Sequence, residues 1–199
     1  MSLLPHPPLE APQQPPPGSV TISYATVIGS GCPLGTAAVA LNPGATFMTV
    51  TYSQFLAQVG VGAMPTDNRK NCQANIRVHV PQGWTFAIEK TDYRGYANLQ
   101  AGAYGIERAN YYFQGMSQTA YIQHQFNGPF QNDWQTTDLV GIAALVFRPC
   151  GEDRNFNINA QLAVYPGWSN PHTTNSYITM DSTDVNFSTI YHFAWRRCP

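Results

Sequence analysis

Charge is scarce in this chain of 199 residues. Asp, Glu, Lys and Arg together make up only 11% of it, less than half the roughly 25% of an average soluble protein. Ten basic and eleven acidic residues leave a formal net charge of -1. With no basic excess and no polybasic run there is no electrostatic footprint for nucleic acid or for an anionic membrane, and both partner classes are set aside. No apolar run approaches the roughly 20 residues of a membrane-spanning helix, and no long amphipathic helical pattern occurs. The cysteines form no C-x-x-C pair and no two histidines lie three to five residues apart, which weighs against a zinc site. A G-x-S-x-G elbow and a recognisable Ser, His, Asp order are missing too. Met1 to Leu4, followed by Pro5, lacks the basic and apolar regions of a secretory signal, so secretion requires a leader already removed.

What the chain does carry is four cysteines, Cys32, Cys72, Cys150 and Cys198, each at a turn or strand edge. In a low-charge chain of this size they read as disulfides of an extracellular protein. Four cysteines allow three pairings, and sequence alone does not choose among them. Cys32 with Cys72 and Cys150 with Cys198 is favoured because each bond then ties neighbouring segments and the second anchors the C-terminal strand.

Pro5 to Gly18 contains Pro5, Pro7, Pro8, Pro12, Pro15, Pro16 and Pro17, each without an amide donor and with φ fixed, so residues 1–19 read as an extended arm or spacer. A PxxP ligand is the alternative there. From Val20 to the C-terminus, residues 20–199 form one domain in which the dominant period is two. Val20 to Val27 is a first strand. Ala37 to Leu41 and Phe47 to Tyr52 form a hairpin across Asn42, Pro43 and Gly44, and Pro65 to Lys70 is one helical turn. Ile76, Val78 and Val80 share an apolar face, as do Trp84, Phe86 and Ile88. Tyr104 to Phe113 and Thr119 to Phe126 read as a second hairpin around Gly115. Leu139 to Phe147 is almost wholly apolar and predicts a central strand buried on both faces. Phe156, Ile158, Ala160, Leu162 and Val164 alternate with Asn155, Asn157, Asn159 and Gln161, a core face backed by a ladder of amides. Phe187, Tyr191, Phe193 and Trp195 predict the last strand. These segments give an all-β, two-sheet antiparallel sandwich, jelly-roll-like, of about nine to eleven strands with one or two short helical turns.

Several local motifs are more specific: Gly29-Ser30-Gly31-Cys32-Pro33, Arg69-Lys70-Asn71-Cys72-Gln73, Asp92-Tyr93-Arg94-Gly95-Tyr96, Tyr111-Tyr112-Phe113-Gln114-Gly115, Pro149-Cys150-Gly151, Asn157-Ile158-Asn159, Met180-Asp181-Ser182-Thr183-Asp184 and Trp195-Arg196-Arg197-Cys198. In order, from about Val20 to Cys198 and with all four cysteines, they resemble a family of small secreted fungal proteins catalogued as a domain of unknown function. The resemblance implies secretion, an all-β fold and disulfides, and it brings no catalytic residue with it.

The chemistry in the side chains points several ways. His6, His79, His124, His172 and His192 are scattered. Asp181 and Asp184 flank Ser182 and Thr183, and such oxygen-rich loops can hold calcium or simply close turns; turns are favoured, and no metal or cofactor is assigned. Glu89, Asp92, Glu107 and Asp133 are available for paired-carboxylate hydrolysis, but nothing in their spacing sets two across a cleft. Asn186-Phe187-Ser188 is a glycosylation sequon. Trp84 and Trp195 fall on apolar faces, whereas Trp134 (with Asn132 and Asp133) and Trp168 (with Tyr165 and Asn170) lie in polar, turn-rich context. An exposed ring beside amides is equipment for stacking on a sugar. The leading expectation is therefore a secreted, monomeric, non-catalytic protein of the extracellular space or cell wall that binds a cell-wall or host polysaccharide through these six residues. A polysaccharide-active hydrolase and a surface protein recognising another protein are the alternatives.

Overall fold

The computed structural model describes residues 14–117, 119, 121–180 and 188–199. Among them, twelve strands are connected mainly by short turns: β1 (Thr21–Ile28), β2 (Ala37–Leu41), β3 (Phe47–Tyr52), β4 (Leu56–Gly60), β5 (Arg69–His79), β6 (Trp84–Leu99), β7 (Tyr104–Phe113), β8 (Ile122–Asn127), β9 (Phe130–Leu139), β10 (Phe156–Tyr165), β11 (Asn175–Met180) and β12 (Thr189–Arg197). One sheet has the order β1-β5-β10-β7-β8. The other has the order β2-β3-β12-β6-β11-β4, with β9 on the free side of β6. All the strand pairings are antiparallel. The two-sheet sandwich is thus present, with one strand more than the expected range.

The alternation in β10 does what its period requires. Phe156, Ile158, Leu162 and Val164 are buried among residues of the opposite sheet, including the fully buried Phe86 and Tyr191. Phe86 meets Phe113 and Phe193 edge-on at 5.2 and 5.1 Å between ring centroids, the arrangement that the ring quadrupole favours. Turn chemistry sets the hairpins. Asn42 Oδ1 accepts from the Thr46 and Phe47 amides at 2.8 and 2.9 Å, which closes the β2–β3 connection. The helical turn at Pro65–Asn68 is held by Asp67, whose carboxylate accepts from the Met64 amide and from Lys70 Nζ. In the proline-rich stretch, residues 1–13 lie outside the described residues, and Ser19 closes a turn back onto Pro16.

Both favoured disulfides are present, Cys32 with Cys72 and Cys150 with Cys198, at Cα separations of 5.5 and 5.9 Å. They close loops of 40 and 48 residues, each stabilising by about 4 kcal/mol in the chain-entropy description. The first is buried where the loop after β1 meets β5, and the second fastens the end of β12 to the segment after Phe147.

The expectation for Leu139 to Phe147 is corrected. β9 ends at Leu139, a 3-10 turn occupies Ile142–Ala144, and Leu139 and Ile142 are 75% and 90% exposed. Only the two ends of this segment are fastened to β6: the Val140 amide donates to Glu89 O and the Arg148 amide to Phe86 O. The chain between those anchors is far longer than the three-residue step it spans on β6, so it bows outward instead of forming a ladder. β4, β9 and β11 are strands that the periodicity did not single out. β9 pairs only with β6 and is wet over most of its length, so its apolar alternation is weak.

Candidate functional site

The outer face of the β1-β5-β10-β7-β8 sheet collects the amides that alternate with the core residues. The register sets Asn157 beside Asn75 and Tyr112, Asn159 beside Gln73 and Asn110, and Gln161 beside Asn71 and Arg108. These side chains bond to one another across the strands. Arg77 Nε donates to Asn155 Oδ1, Asn155 Nδ2 to Asn75 Oδ1, and Asn75 Nδ2 to Asn157 Oδ1, at 2.9, 2.7 and 2.6 Å. Asn159 Nδ2 donates to Asn110 Oδ1 at 3.0 Å. Arg108 donates through Nε and Nη2 to Gln161 Oε1, while its guanidinium lies 4.8 Å from the centre of the Tyr121 ring. The middle of the ladder is nearly covered by its own neighbours, and Asn71, Gln73, Gln123, Gln125 and Asn127 are exposed at its flanks. A primary amide has two donors and two acceptor sites, so a fixed array of them suits the mixed donor and acceptor pattern of hydroxyl groups.

Aromatic rings stand at one end of this face. Tyr104 and Tyr165, directly paired between β7 and β10, stack at 5.0 Å with 21° between planes. The following loop carries Trp168, 80% exposed, with its indole packed on Gly102, where a β-carbon would lie 2.3 Å from ring carbon Cδ2. Close backbone contacts at glycine lock the turns here. A β-carbon on Gly167 would sit 2.0 Å from Gly102 O, and one on Gly128 would sit 1.9 Å from Gln100 O. One face of the indole is therefore buried on backbone, and the rest of the ring is presented to solvent on a fixed support.

The structure brings Trp168 and Tyr165 together and separates the other expected contacts from them. Trp134 is 5% exposed and belongs to the core, correcting its expected exposure: it points inward from β9 onto Gly95, its register partner on β6, and meets Phe126 at 5.1 Å. Asn132 and Asp133 are exposed on β9, where Asp133 pairs with Tyr96 in the other sheet. Asn170 closes its own turn, accepting through Oδ1 from the His172 amide and through its carbonyl from Thr174. Tyr104, Tyr121 and the β8 amides were not anticipated. The period-two spacing of Gln123, Gln125 and Asn127 was the available signal.

The carboxylates do not converge across a cleft. Glu107 points into the core from β7, fully buried. Burial first, and then the neighbouring Asp138, push its carboxyl well above the ordinary carboxylate range, and Thr136 opposes the rise. Among the described residues neither Glu107 oxygen has a hydrogen-bond partner, and the Tyr93 and Tyr191 hydroxyls facing the same space have none either. Asp138 is buried and lies 2.7 Å from His124 Nε2. Asp92 lies on the outer face of the other sheet with Lys90, His192 and Thr137; burial alone would raise its pKa, but hydrogen bonds from Thr137, Lys90 and His192 hold it below the usual value. Glu89 and Asp133 are exposed. Among the described residues no three His, Cys, Asp or Glu side chains gather as a metal site. His6, Asp181, Asp184 and Asn186 lie outside the described residues.

Two sheets stapled by two disulfides, with an amide face on one sheet and an exposed indole at its end, define a compact four-cysteine β-sandwich. The chain belongs to the DUF4360 family, described as a domain of unknown function, which matches residues 18–198. It is 35% identical over 184 residues to an uncharacterized secreted protein of Arthroderma benhamiae, a match covering 92% of this chain and 74% of that protein. No solved structure matches.

Proposed function

We propose that this is a secreted, non-catalytic protein that binds a cell-wall or host polysaccharide along the amide face. The supporting observation is Trp168: an 80% exposed indole, fixed on the backbone of Gly102 beside the stacked Tyr104 and Tyr165, at the end of a sheet face rich in Asn and Gln. Stacking on a pyranose ring needs an aromatic surface held in place, and orientation of the sugar needs neutral hydrogen-bonding groups around it. The low overall charge suits a neutral polymer, and on the face itself Arg77 and Arg108 are engaged by Asn155 and by Gln161 with the Tyr121 ring. Secretion is supported by the two disulfides and by similarity to a secreted fungal protein. The hydrolytic alternative has less support, because Glu107 and Asp138 are sealed between the sheets and Asp92 is on the other outer face.

Retention on insoluble chitin and β-glucan, with a glycan array for soluble ligands, tests the reading. The wild type is retained, and Trp168→Ala weakens retention by about two- to tenfold, matching the roughly 0.5–1.5 kcal/mol of a stacked aromatic contact. Equal retention of the wild type and a double Trp168→Ala, Tyr165→Ala variant would exclude this face, and no retention on any polysaccharide would exclude the function.

A further inference from the structure

At the opposite end of the sandwich from Trp168, the two sheets part around a cavity of about 330 Å³. Its inner wall is core: Ile88 from one sheet, and Phe113 and Phe156 from the other. Its outer wall includes Ile122 at the sheet edge and the bowed segment, which contributes Val140, Ala144 and Val146. Among the described residues no charged side chain lines it, and the polar side chains in the lining are those of Tyr111, Tyr112 and Thr119.

This cavity accounts for the apolar composition of the bowed segment. Ile142 and Leu139, at 90% and 75% exposure, and Val146, at 38%, carry the apolar surface from the interior out over the mouth. Among the described residues no other stretch of this length exposes three large hydrophobic side chains, and here they stand beside a concave apolar wall. The segment is also held open. Its beginning is bonded to Glu89 O and its end to Phe86 O, Phe147 lies under the Arg196 guanidinium at 3.9 Å, and the buried Arg148 side chain bonds to Trp84 O and Glu152 O. A wall anchored at both ends does not collapse into the space it bounds.

We infer that this cavity is a binding site for a small uncharged amphiphile, taking in an alkyl or acyl chain of about ten carbons. At roughly 30 Å³ per non-hydrogen atom, taken from the volume of a liquid water molecule, the space holds on the order of ten such atoms. The lining decides the chemistry: an ionised group inside would be desolvated with no partner. The concavity decides the scale, since a single chamber of this size accepts a chain and not a protein surface. The apolar rim lets a slightly longer chain remain covered as it leaves the mouth. The site lies at the far end of the sandwich from Trp168 and the stacked Tyr104 and Tyr165.

The test uses the full chain and the uncharged fluorophore N-phenyl-1-naphthylamine, competed with 1-decanol. The expected result is a saturable one-site rise in fluorescence that 1-decanol reverses. Ala144→Trp, which fills the space, and Val146→Glu, which puts a charge at the exposed mouth, each weaken the probe at least tenfold, while Trp168→Ala binds it as the wild type does. Near-UV circular dichroism establishes that each variant is folded. Absence of saturable binding, or full affinity in both folded mouth variants, overturns the proposal. So does binding to neutral phosphatidylcholine vesicles that 1-decanol does not compete, because the rim would then be a membrane contact.

Discussion

The indole of Trp168 rests on Gly102, a residue with φ of +87°, and a β-carbon there would fall 2.3 Å from Cδ2 and 2.5 Å from Cε2 of the ring. Gly102→Ala therefore strains a left-handed backbone position and evicts the indole at the same time. The expected outcome is a loss of about 1–2 kcal/mol in denaturant unfolding together with the polysaccharide-retention defect of Trp168→Ala. Trp168→Ala itself leaves stability within about 0.5 kcal/mol, as for other exposed positions. A Gly102→Ala protein that is as stable as the wild type and binds as well would show that the ring has no fixed seat.

Glu107 supplies the pH dependence. Its folded pKa is raised above the unfolded value by burial and by Asp138, so the protonated carboxyl is the form that the fold tolerates. Stability is at its full value below the unfolded carboxyl pKa and falls as pH rises toward the folded one, by about 1.4 kcal/mol per pH unit, before levelling off. Glu107→Gln keeps the shape without the titration. Melting curves from pH 4 to 8 are expected to fall with pH in the wild type and to fall less in the variant, with the variant the more stable at pH 7. Parallel curves would refute this assignment.

Gly95 and Trp134 are register partners in the β6–β9 ladder, and the indole packs against the glycine. A β-carbon at Gly95 would lie 1.9 Å from Thr179 O and 2.6 Å from Trp134 Cζ2. Gly95→Ala is expected to cost about 3 kcal/mol or more. Trimming Trp134 to Leu in the same protein does not restore it, because the closer clash is with backbone. Urea unfolding of the single and double variants distinguishes this from a purely side-chain collision, in which the second substitution would rescue.

Cys150 and Cys198 hold the end of β12, where the Cys198 amide also donates to Gly83 O. A Cys150→Ser, Cys198→Ser variant is expected to lose about 4 kcal/mol. Its hydrogen exchange is expected to rise first in Thr189–Arg197 and in the bowed segment, while β5 and β10 keep their protection. Uniform exchange across both sheets would show that the bond stabilises the whole domain without a local role.

Much of the fold was legible because a half-buried strand writes its orientation into every second residue. Phe156, Ile158, Ala160, Leu162 and Val164 are inward, and Asn155, Asn157, Asn159 and Gln161 line the outer face, as their alternation required. The β2–β3 turn followed from Asn42, and the segments joined favoured one cysteine pairing, which the tertiary structure decided. Legibility failed where the local pattern was ambiguous. Leu139 to Phe147 carries the composition of a buried strand, yet its hydrophobic side chains wall a cavity and cover its rim. Trp134 and Trp168 both sit among Asn, Asp, Ser and Gly, and only one is exposed. Its neighbours in sequence do not contain the information, because Trp134 is drawn inward by Gly95 on another strand and Trp168 is seated on Gly102 in another turn.

The amino-acid order alone therefore determined an all-β chain of low charge with one core, two sheets and an amide-bearing face, since these follow from period, composition and turn chemistry within short windows. Tertiary structure decided which tryptophan is offered to solvent, that Glu107 and Asp138 share the interior, and that an apolar segment bows out around a cavity. Those outcomes depend on register between strands far apart in sequence. Register fixes which side chain meets a glycine and how far the chain must reach between its hydrogen-bonded anchors.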